Sequence, residues 1–177
     1  LLNEYKLYEE IIDLSTKYLN SKALSPNLLY ARAMAYEELR KIKLMEKDLI
    51  TVLLIDQKNA NTLNALGYSL AVHTRRYDEA YELIHEAHLY DPGSAAILDS
   101  LGWVEYKRGN YADALKFVEA SYERDKDKEI ILHYCEILMK NKFYNKLRNI
   151  IHLELERNSN DVSFVQKLKS MNNEIPL

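Results

Sequence analysis

The feature that most constrains this chain is a set of residues that recurs every 34 or 35 positions. Six residues of one copy correspond to six of the next, namely Leu63, Leu66, Gly67, Tyr77, Ala80 and Asp91 to Leu98, Leu101, Gly102, Tyr111, Ala114 and Asp125. One extra residue near positions 73–76 accounts for the two offsets. A further step back from Gly67 reaches Ala33, so three copies fill residues 26–128. A period of this size predicts stacked supersecondary units that cover one another's apolar faces.

Each copy contains two segments with apolar residues three and four positions apart, which predicts two amphipathic helices. In the third copy, Leu98, Leu101 and Val104 define the first helix, and the second begins after the turn residues 108–110. We name the first helix of each copy helix A and the second helix B. A pair of this size buries only one side by itself, so the pairs are expected to stack.

The composition favours helices and excludes several kinds of partner. Four glycines and three prolines in 177 residues are too few for a turn-rich sheet protein, so we expect an all-α fold. The 27 acidic and 24 basic residues are scattered and give a net charge of -3, which disfavours nucleic acid and anionic membranes as partners. No apolar run approaches the roughly 20 residues that span a bilayer.

Residues with catalytic or metal-binding potential are sparse. Glu82, His85 and His88 follow one another at helical spacing, but no second Glu-x-x-His motif is present to complete a metal site. Cys135, the only cysteine, lies two residues from His133, a spacing that directs the two side chains to different sides of a helix. The sequence therefore predicts no enzyme activity, no cofactor and no metal.

The repeated residues resemble the tetratricopeptide repeat (TPR) family, whose pattern is Leu-Gly, a small turn residue, an aromatic residue, an alanine and a proline. The third copy supplies Leu101, Gly102, Gly109, Tyr111 and Ala114, and the second supplies Leu66, Gly67, Tyr77, Ala80, Ala87 and Pro92. The resemblance implies a right-handed α-solenoid of stacked antiparallel helix pairs.

The resemblance also predicts how the chain is divided. We expect helix B of a truncated preceding repeat at 1–25, a degenerate repeat at 26–59, repeats at 60–94 and 95–128, a degenerate helix pair at 129–160, and a capping helix and tail at 161–177. The first repeat is degenerate because Met45 stands where the alanine is expected. The fourth pair is degenerate because Glu136 replaces the glycine.

In the TPR family the A helices line a concave groove that binds partners. The repeat register assigns to this groove Tyr30, Met34, Glu37, Asn64, Tyr68, Asp99, Trp103, Tyr106 and Lys107. Stacked aromatic residues would suit an extended or helical peptide. Two alternatives remain open for Trp103 and Tyr68, since their rings either face the groove or pack against neighbouring A helices. Glu105 is a misfit that requires pairing with Arg108 or Lys107, or else has a function of its own.

These features predict an interaction scaffold or adaptor that binds a protein or peptide partner. Residues 64–71 and 91–115 are similar to bacterial TPR arrays of envelope lipoproteins that act as protease adaptors. That similarity implies a periplasmic location and delivery of substrates to a processing protease; without it the location is unknown, with the cytoplasm as the other possibility. Two alternatives are a non-catalytic helper region of a larger enzyme and an array that self-associates through its open N-terminal repeat.

Overall fold

The computed structural model describes residues 2–21 and 24–176, which form ten α-helices and no strand. The chain divides into two compact units, Leu1–Asp91 and Pro92–Leu177, named unit 1 and unit 2 below. Unit 1 contains α1 (Leu2–Ser21), α2 (Pro26–Glu38), α3 (Ile42–Ile55), α4 (Ala60–His73) and α5 (Tyr77–Tyr90). Unit 2 contains α6 (Ala95–Arg108), α7 (Tyr111–Arg124), α8 (Lys128–Lys140), α9 (Tyr144–Arg157) and α10 (Val162–Asn173). The prediction of an all-α, TPR-like solenoid fold is confirmed.

The helices pack as successive antiparallel pairs. The pairs are α2 with α3, α4 with α5, α6 with α7, and α8 with α9, while α1 packs on α2 and α10 packs on α8 and α9. In each pair the first helix is helix A and the second is helix B. The division of the chain into individual repeats remains a prediction.

The turns between helices A and B explain why the repeat period varies by one residue. Two residues separate α6 from α7, and the first of them, Gly109, has a φ of 87° that glycine adopts without steric cost. Three residues, at positions 74–76, separate α4 from α5, and Thr74 there has an extended backbone. The extra residue predicted near positions 73–76 is therefore this longer turn. Arg40 and Lys142 occupy left-handed positions in two other turns.

Side-chain caps define where several helices begin. The side chains of Asn59 and Ser94 accept hydrogen bonds from backbone N–H groups in the first turns of α4 and α6. Asp161 caps α10 in the same way, and it also pairs with Lys128. This pairing, together with the Phe164 N–H, lowers the pKa of the Asp161 carboxyl.

Glycine at the centre of an A helix permits close contact with helix B. A Cβ atom added to Gly67 would lie 2.6 Å from Cγ1 of Ile84 and 2.8 Å from the carbonyl oxygen of Ala80. A Cβ atom added to Gly102 would lie 3.1 Å from the carbonyl oxygen of Ala114 and from Cβ of Val118. Gly67 leaves no room for a side chain, whereas at Gly102 the contacts are tight but longer.

In unit 1 a buried ion pair joins the first three helices. Nε and Nη2 of Arg32 on α2 donate to the two carboxylate oxygens of Asp48 on α3, at 2.7 and 2.8 Å. Nη1 of the same guanidinium donates to Oγ1 of Thr16 on α1 at 2.9 Å. Asp48 is buried, and the two-point geometry compensates its loss of hydration. The interaction ties α1 to the first helix pair.

In unit 2 a buried glutamate, Glu154, joins two helices through hydrogen bonds. The hydroxyl of Tyr122 on α7 donates to Oε1 of Glu154 on α9 at 2.5 Å, and Arg157 donates to the same oxygen at 2.9 Å. Burial, followed by this hydrogen bond, raises the pKa of Tyr122. Phe164 and Leu168 of α10 complete the apolar core of the unit.

We expect Gly67→Ala to lower the free energy of unfolding more than Gly102→Ala does. The added methyl group at position 67 overlaps backbone and side-chain atoms of α5, and overpacking of this kind costs about 1–3 kcal/mol. At position 102 the gain in helix propensity of about 1 kcal/mol offsets much of a smaller clash. Urea denaturation followed by circular dichroism measures both variants, and equal destabilisation would contradict this ranking.

Candidate functional site

The predicted groove residues lie on the A helices, and they are described separately for each unit. In unit 1 they are carried by α2 and α4, and in unit 2 by α6 with its neighbouring A helix α8. We name these two surfaces the A-face of unit 1 and the A-face of unit 2. Residues three and four positions apart lie on one side of each helix, which is why the register groups them.

On the A-face of unit 1, Glu37 belongs to a hydrogen-bonded cluster between α2 and α4. Its Oε1 accepts a hydrogen bond from the hydroxyl of Ser69 and lies 3.1 Å from Nε2 of His73. Nη1 of Arg40 lies 2.6 Å from Nδ1 of the same imidazole. The imidazole of His73 therefore lies between Arg40 and Glu37. These contacts position Glu37 as a link between successive A helices.

The other predicted residues of this face are partly accessible. Tyr30, Met34 and Tyr68 are half-buried. Tyr30 lies at a cavity of about 310 Å³ near the start of α4, and burial, with a smaller contribution from Glu37, raises the pKa of its phenol. Oδ1 of Asn64 is buried and has no hydrogen-bond partner. The phenol of Tyr30 is thus a neutral donor near neutral pH.

On the A-face of unit 2, Trp103 is packed between aromatic rings. Its ring stacks on His133 of α8 at a centroid distance of 4.0 Å and on Tyr106 at 5.2 Å. Only 8% of Trp103 is exposed. Of the two alternatives, the structure therefore shows packing against the neighbouring A helix for Trp103, whereas Tyr68 remains half-buried.

Asp99 and His133 form a buried pair behind this ring. Nδ1 of His133 lies 2.8 Å from Oδ2 of Asp99, and each side chain is less than 10% exposed. Burial raises the pKa of Asp99, and the hydrogen bond with His133 opposes the rise. Oδ1 of Asp99 and Nε1 of Trp103 are buried without hydrogen-bond partners. The pair orients Asp99 but satisfies only one of its two oxygens.

Lysine side chains cover the outer side of the aromatic row. Nζ of Lys107 lies 4.2 Å from the Trp103 ring centroid and 5.7 Å from that of Tyr106. Nζ of Lys140 on α8 lies 5.0 Å from the centroid of Tyr111, whose ring contacts Tyr106. Cation–π contacts of this kind are worth about 0.5–1 kcal/mol at exposed sites. A displaceable lysine layer therefore lies over the row.

Beside Tyr106 the face opens into a cavity of about 400 Å³. Its lining comes from α6, α8, α9, α10 and the residues between and after them, and consists of Tyr106, Glu136, Met139, Lys140, Lys142, Tyr144, Met171 and Glu174. Tyr106 is half-buried, and burial raises the pKa of its phenol. The accessible part of this face combines apolar and charged groups of both signs.

Glu105, the misfit of the sequence, has a structural role. Its side chain is buried and accepts hydrogen bonds from Nη1 of Arg108 at 3.1 Å and from Nδ2 of Asn110 at 2.6 Å. Asn110 also donates its backbone N–H to the carbonyl of Glu105 at 2.9 Å. The predicted pairing with Arg108 is correct, and the carboxylate holds the turn that follows α6. Lys107 lies over Trp103 instead.

Several residues of these faces were missed by the sequence reasoning. His133 lies 34 residues after Asp99, so the repeat register extended into the fourth helix pair would have placed it on the A-face of unit 2. Glu136 stands where the repeat has its glycine, so the register of the fourth helix pair was not recognised. Ser69 and His73 carried no distinctive motif and are recognised only because their side chains reach Glu37.

The single cysteine of the chain, Cys135, is buried. Burial raises the pKa of the Cys135 thiol to about 12, so it stays protonated near neutral pH. Across residues 2–21 and 24–176, no group of three or more His, Cys, Asp or Glu side chains is arranged to hold a metal ion. In the same residues, no helix has the length and hydropathy needed to cross a bilayer.

We expect Trp103→Ala to lower the free energy of unfolding by about 3–5 kcal/mol, because it leaves a cavity beside His133. Trp103→Phe keeps a ring in the stack and is expected to cost less. Urea denaturation followed by circular dichroism compares the two variants with the wild-type chain. Wild-type stability of the alanine variant would show that Trp103 is not part of the core.

Relatives in sequence share the repeat over part of the chain. No protein-family model matches the chain. Over 110 residues it is 46% identical to a TPR repeat-containing protein of Pseudomonas aeruginosa, a stretch that makes up 62% of this chain and 19% of that protein. Over 98 residues it is 29% identical to mouse tetratricopeptide repeat protein 21A, covering 55% of this chain and 7% of that one. The chain thus spans a fifth or less of the length of these relatives.

Solved structures extend the likeness to nearly the whole chain. A thermophilic TPR protein from Thermus thermophilus matches with a TM-score of 0.81 at 15% identity, covering 96% of this chain and 97% of that one. PilF of Pseudomonas aeruginosa matches with a TM-score of 0.65 at 20% identity, covering 94% and 90%. At these identities the likeness shows the fold alone. The repeated signature and the sequence relatives make the chain similar to tetratricopeptide repeat proteins, and the structural likeness shows that it has their fold.

Proposed function

We propose that the chain is an interaction scaffold and that the A-face of unit 2 binds a partner protein. The observation that supports this most directly is the row of rings His133, Trp103, Tyr106 and Tyr111, whose outer side is covered by lysines. Aromatic residues dominate the energetics of protein interfaces when a partner covers them. A flexible lysine can move aside at small cost, whereas a packed helix cannot.

The partner is expected to engage Tyr106 and Lys107 directly. Both are half-buried and therefore offer surface to a partner, while Trp103 beneath them is already packed. The cavity beside Tyr106 contains Glu136 and Lys140, which would pair with charges on a bound segment. Trp103 then supports the binding surface and does not form it.

The A-face of unit 1 is proposed as a second contact surface. Tyr30, Met34 and Tyr68 offer partly accessible apolar area. Glu37 already bonds Ser69 and His73, so a partner would have to compete with these bonds to reach its carboxylate. Apolar contact is therefore expected to contribute more than paired charges on this face.

A more specific form of the proposal is that the chain acts as an adaptor for a processing protease in a bacterial envelope. Its support is the similarity of residues 64–71 and 91–115 to repeat arrays of envelope lipoproteins that act as protease adaptors. The relative from Pseudomonas aeruginosa is bacterial, as this version of the proposal requires. A role as a helper region of a larger enzyme is the alternative, and the sequence flanking this chain in its parent protein would distinguish the two.

We expect Tyr106→Ala and Lys107→Ala each to weaken partner capture by about fivefold or more, because truncation of a central interface residue costs at least about 1 kcal/mol. The measurement is quantitative pull-down from an extract of the native organism, with bound proteins identified by mass spectrometry and compared with the wild-type chain. A carboxy-terminal processing protease among the proteins lost would support the adaptor version.

Lys116→Ala is the matched control for the lysine variant. Lys116 lies on α7, which is a B helix, with 76% of its side chain exposed and paired with Asp113. It should leave capture unchanged. Capture that survives both Tyr106→Ala and Lys107→Ala, with unaltered circular dichroism, would refute the role of the A-face of unit 2.

Self-association is a second candidate, because α1 exposes an apolar stripe. Leu7, Leu14 and Tyr18 lie at positions i, i+7 and i+11 on one side of α1, and Leu14 is 69% exposed. Thr16, on the opposite side, is bonded by Arg32 of α2. The stripe is therefore turned away from the helix that α1 packs on, and a second copy would cover it.

We expect Leu14→Glu to abolish any dimer of the wild-type chain, because a carboxylate in an apolar interface is costly. Multi-angle light scattering at several concentrations measures the molar mass of both chains. Glu9→Gln is the control, because Glu9 is exposed on the side of α1 opposite the stripe. A wild-type chain that stays monomeric at every concentration would remove this candidate.

A further inference from the structure

The cavity of about 400 Å³ on the A-face of unit 2 has an apolar lining that is continuous with the core of the unit. This lining comes from four helices and consists of Tyr106 of α6, Met139 of α8, Tyr144 of α9 and Met171 of α10. All four side chains are half-buried, and all four pack against the hydrophobic core of unit 2. Pockets that hold small ligands have volumes of about 300–1,000 Å³, so this cavity has room for one large side chain.

Four charged side chains also line the cavity, and these are exposed. Two are acidic and two are basic, namely Glu136, Glu174, Lys140 and Lys142. Because their charges sum to zero, the cavity has no net attraction for an anion or a cation. An ionised group placed on the apolar lining would lose its hydration without a dedicated partner. We therefore expect a neutral occupant, with the exposed charges left for the residues that flank it.

The apolar lining suits an aromatic ring better than an aliphatic chain. Thioether sulfur atoms make favourable contacts with aromatic rings, and flexible methionine side chains adapt to the shape of a ligand. The rings of Tyr106 and Tyr144 can pair with a third ring in offset or edge-to-face arrangements. An aliphatic side chain would gain from the burial of its surface but from neither of these contacts. A rigid aromatic side chain also loses little conformational entropy when it binds.

We propose that this cavity binds an aromatic side chain of the partner protein, with its ring against the sulfur atoms of Met139 and Met171 and the rings of Tyr106 and Tyr144. This inference rests on the proposed binding role of the A-face of unit 2, and it names the chemical group that this face recognises. An aromatic anchor seated in a pocket is the kind of contact that dominates the affinity of an interface.

Two segments that line the cavity lie outside the helices, and hydrogen bonds hold both of them in place. In the turn between α8 and α9, Nδ2 of Asn141 donates to the carbonyl oxygen of Tyr111 at 3.0 Å. In the residues that follow α10, the carbonyl oxygen of Pro176 accepts from Nη2 of Arg148 at 2.6 Å, and Ile175 is buried. The cavity is thus formed before a ligand arrives, which lowers the entropy cost of binding.

The four methionines of the chain provide the readout, because a sample labelled with 13C at the methionine methyl groups gives one peak for each of Met34, Met45, Met139 and Met171. The probe is N-acetyl-tryptophanamide, a neutral molecule with one aromatic side chain. We expect the peaks of Met139 and Met171 to shift saturably, while that of Met45, in the core of unit 1, stays in place. N-acetyl-leucinamide should bind at least about fivefold more weakly, because it forms no sulfur–aromatic contact.

Met34 is the internal control for non-specific contact with the probe. It is half-buried, as Met139 is, but it lies on the A-face of unit 1. Linear shifts that are as large at Met34 as at Met139 would overturn the proposal. Equal affinity for the tryptophan and leucine probes would overturn the preference for an aromatic side chain.

The variant Met171→Gln tests whether the probe occupies this cavity. Glutamine has a similar length but no sulfur, so we expect the affinity for N-acetyl-tryptophanamide to fall at least about fivefold, as reported by Met139. Lys169→Gln is the matched control, because Lys169 is exposed on α10 and lies two positions from Met171, on a different side of the helix. Unaltered affinity in Met171→Gln would overturn the proposed location. The comparison of the two probes uses the wild-type chain, so it decides the proposal even if Met171→Gln fails to fold.

The titration also separates this inference from the proposed function. It uses no partner protein, whereas the pull-down measures capture through Tyr106 and Lys107. Loss of capture in those variants without a saturable response to the tryptophan probe would retain the binding face and reject the aromatic anchor. A saturable response with unaltered capture would reject the proposed binding role of Tyr106 and Lys107 and retain the aromatic site.

Discussion

The close approach of helix B to the glycine of helix A is the contact on which the rest of this fold depends. At Gly67 and Gly102 the neighbouring helix occupies the space that a side chain would need. Small residues at this crossing let the two backbones lie close together, so the apolar residues of each pair meet within one layer. The A and B helices of each pair bury their apolar residues against each other. The other side of each A helix therefore contacts the next A helix or is available to a partner.

That remaining side is where binding is proposed, and it is only partly apolar. In unit 2 it combines a buried Asp99–His133 pair, a packed tryptophan and lysines laid over aromatic rings. Oδ1 of Asp99 and Nε1 of Trp103 are buried there without a hydrogen-bond partner, and each such atom lowers stability.

Three buried acids of unit 2 differ in how fully their oxygens are hydrogen-bonded. Glu105 is satisfied by Arg108 and Asn110 and stabilises a turn, and Glu154 is satisfied by Tyr122 and Arg157 in the core of unit 2. Asp99 has one satisfied and one unsatisfied oxygen. Burial alone therefore does not mark a functional acid in this protein, and the count of hydrogen bonds distinguishes the three.

The sequence by itself determined the helices, their pairing and the turn positions, because period, glycine placement and capping residues act locally or between neighbours in the chain. It also identified which residues share a face of helix A. Only the tertiary structure decided that Trp103 is packed, that His133 joins Asp99, and that Glu37 is bonded to Ser69 and His73. These outcomes depend on the rotamers and separation of helices about 34 residues apart, and the repeat pattern specifies the position of a residue without specifying its side-chain contacts.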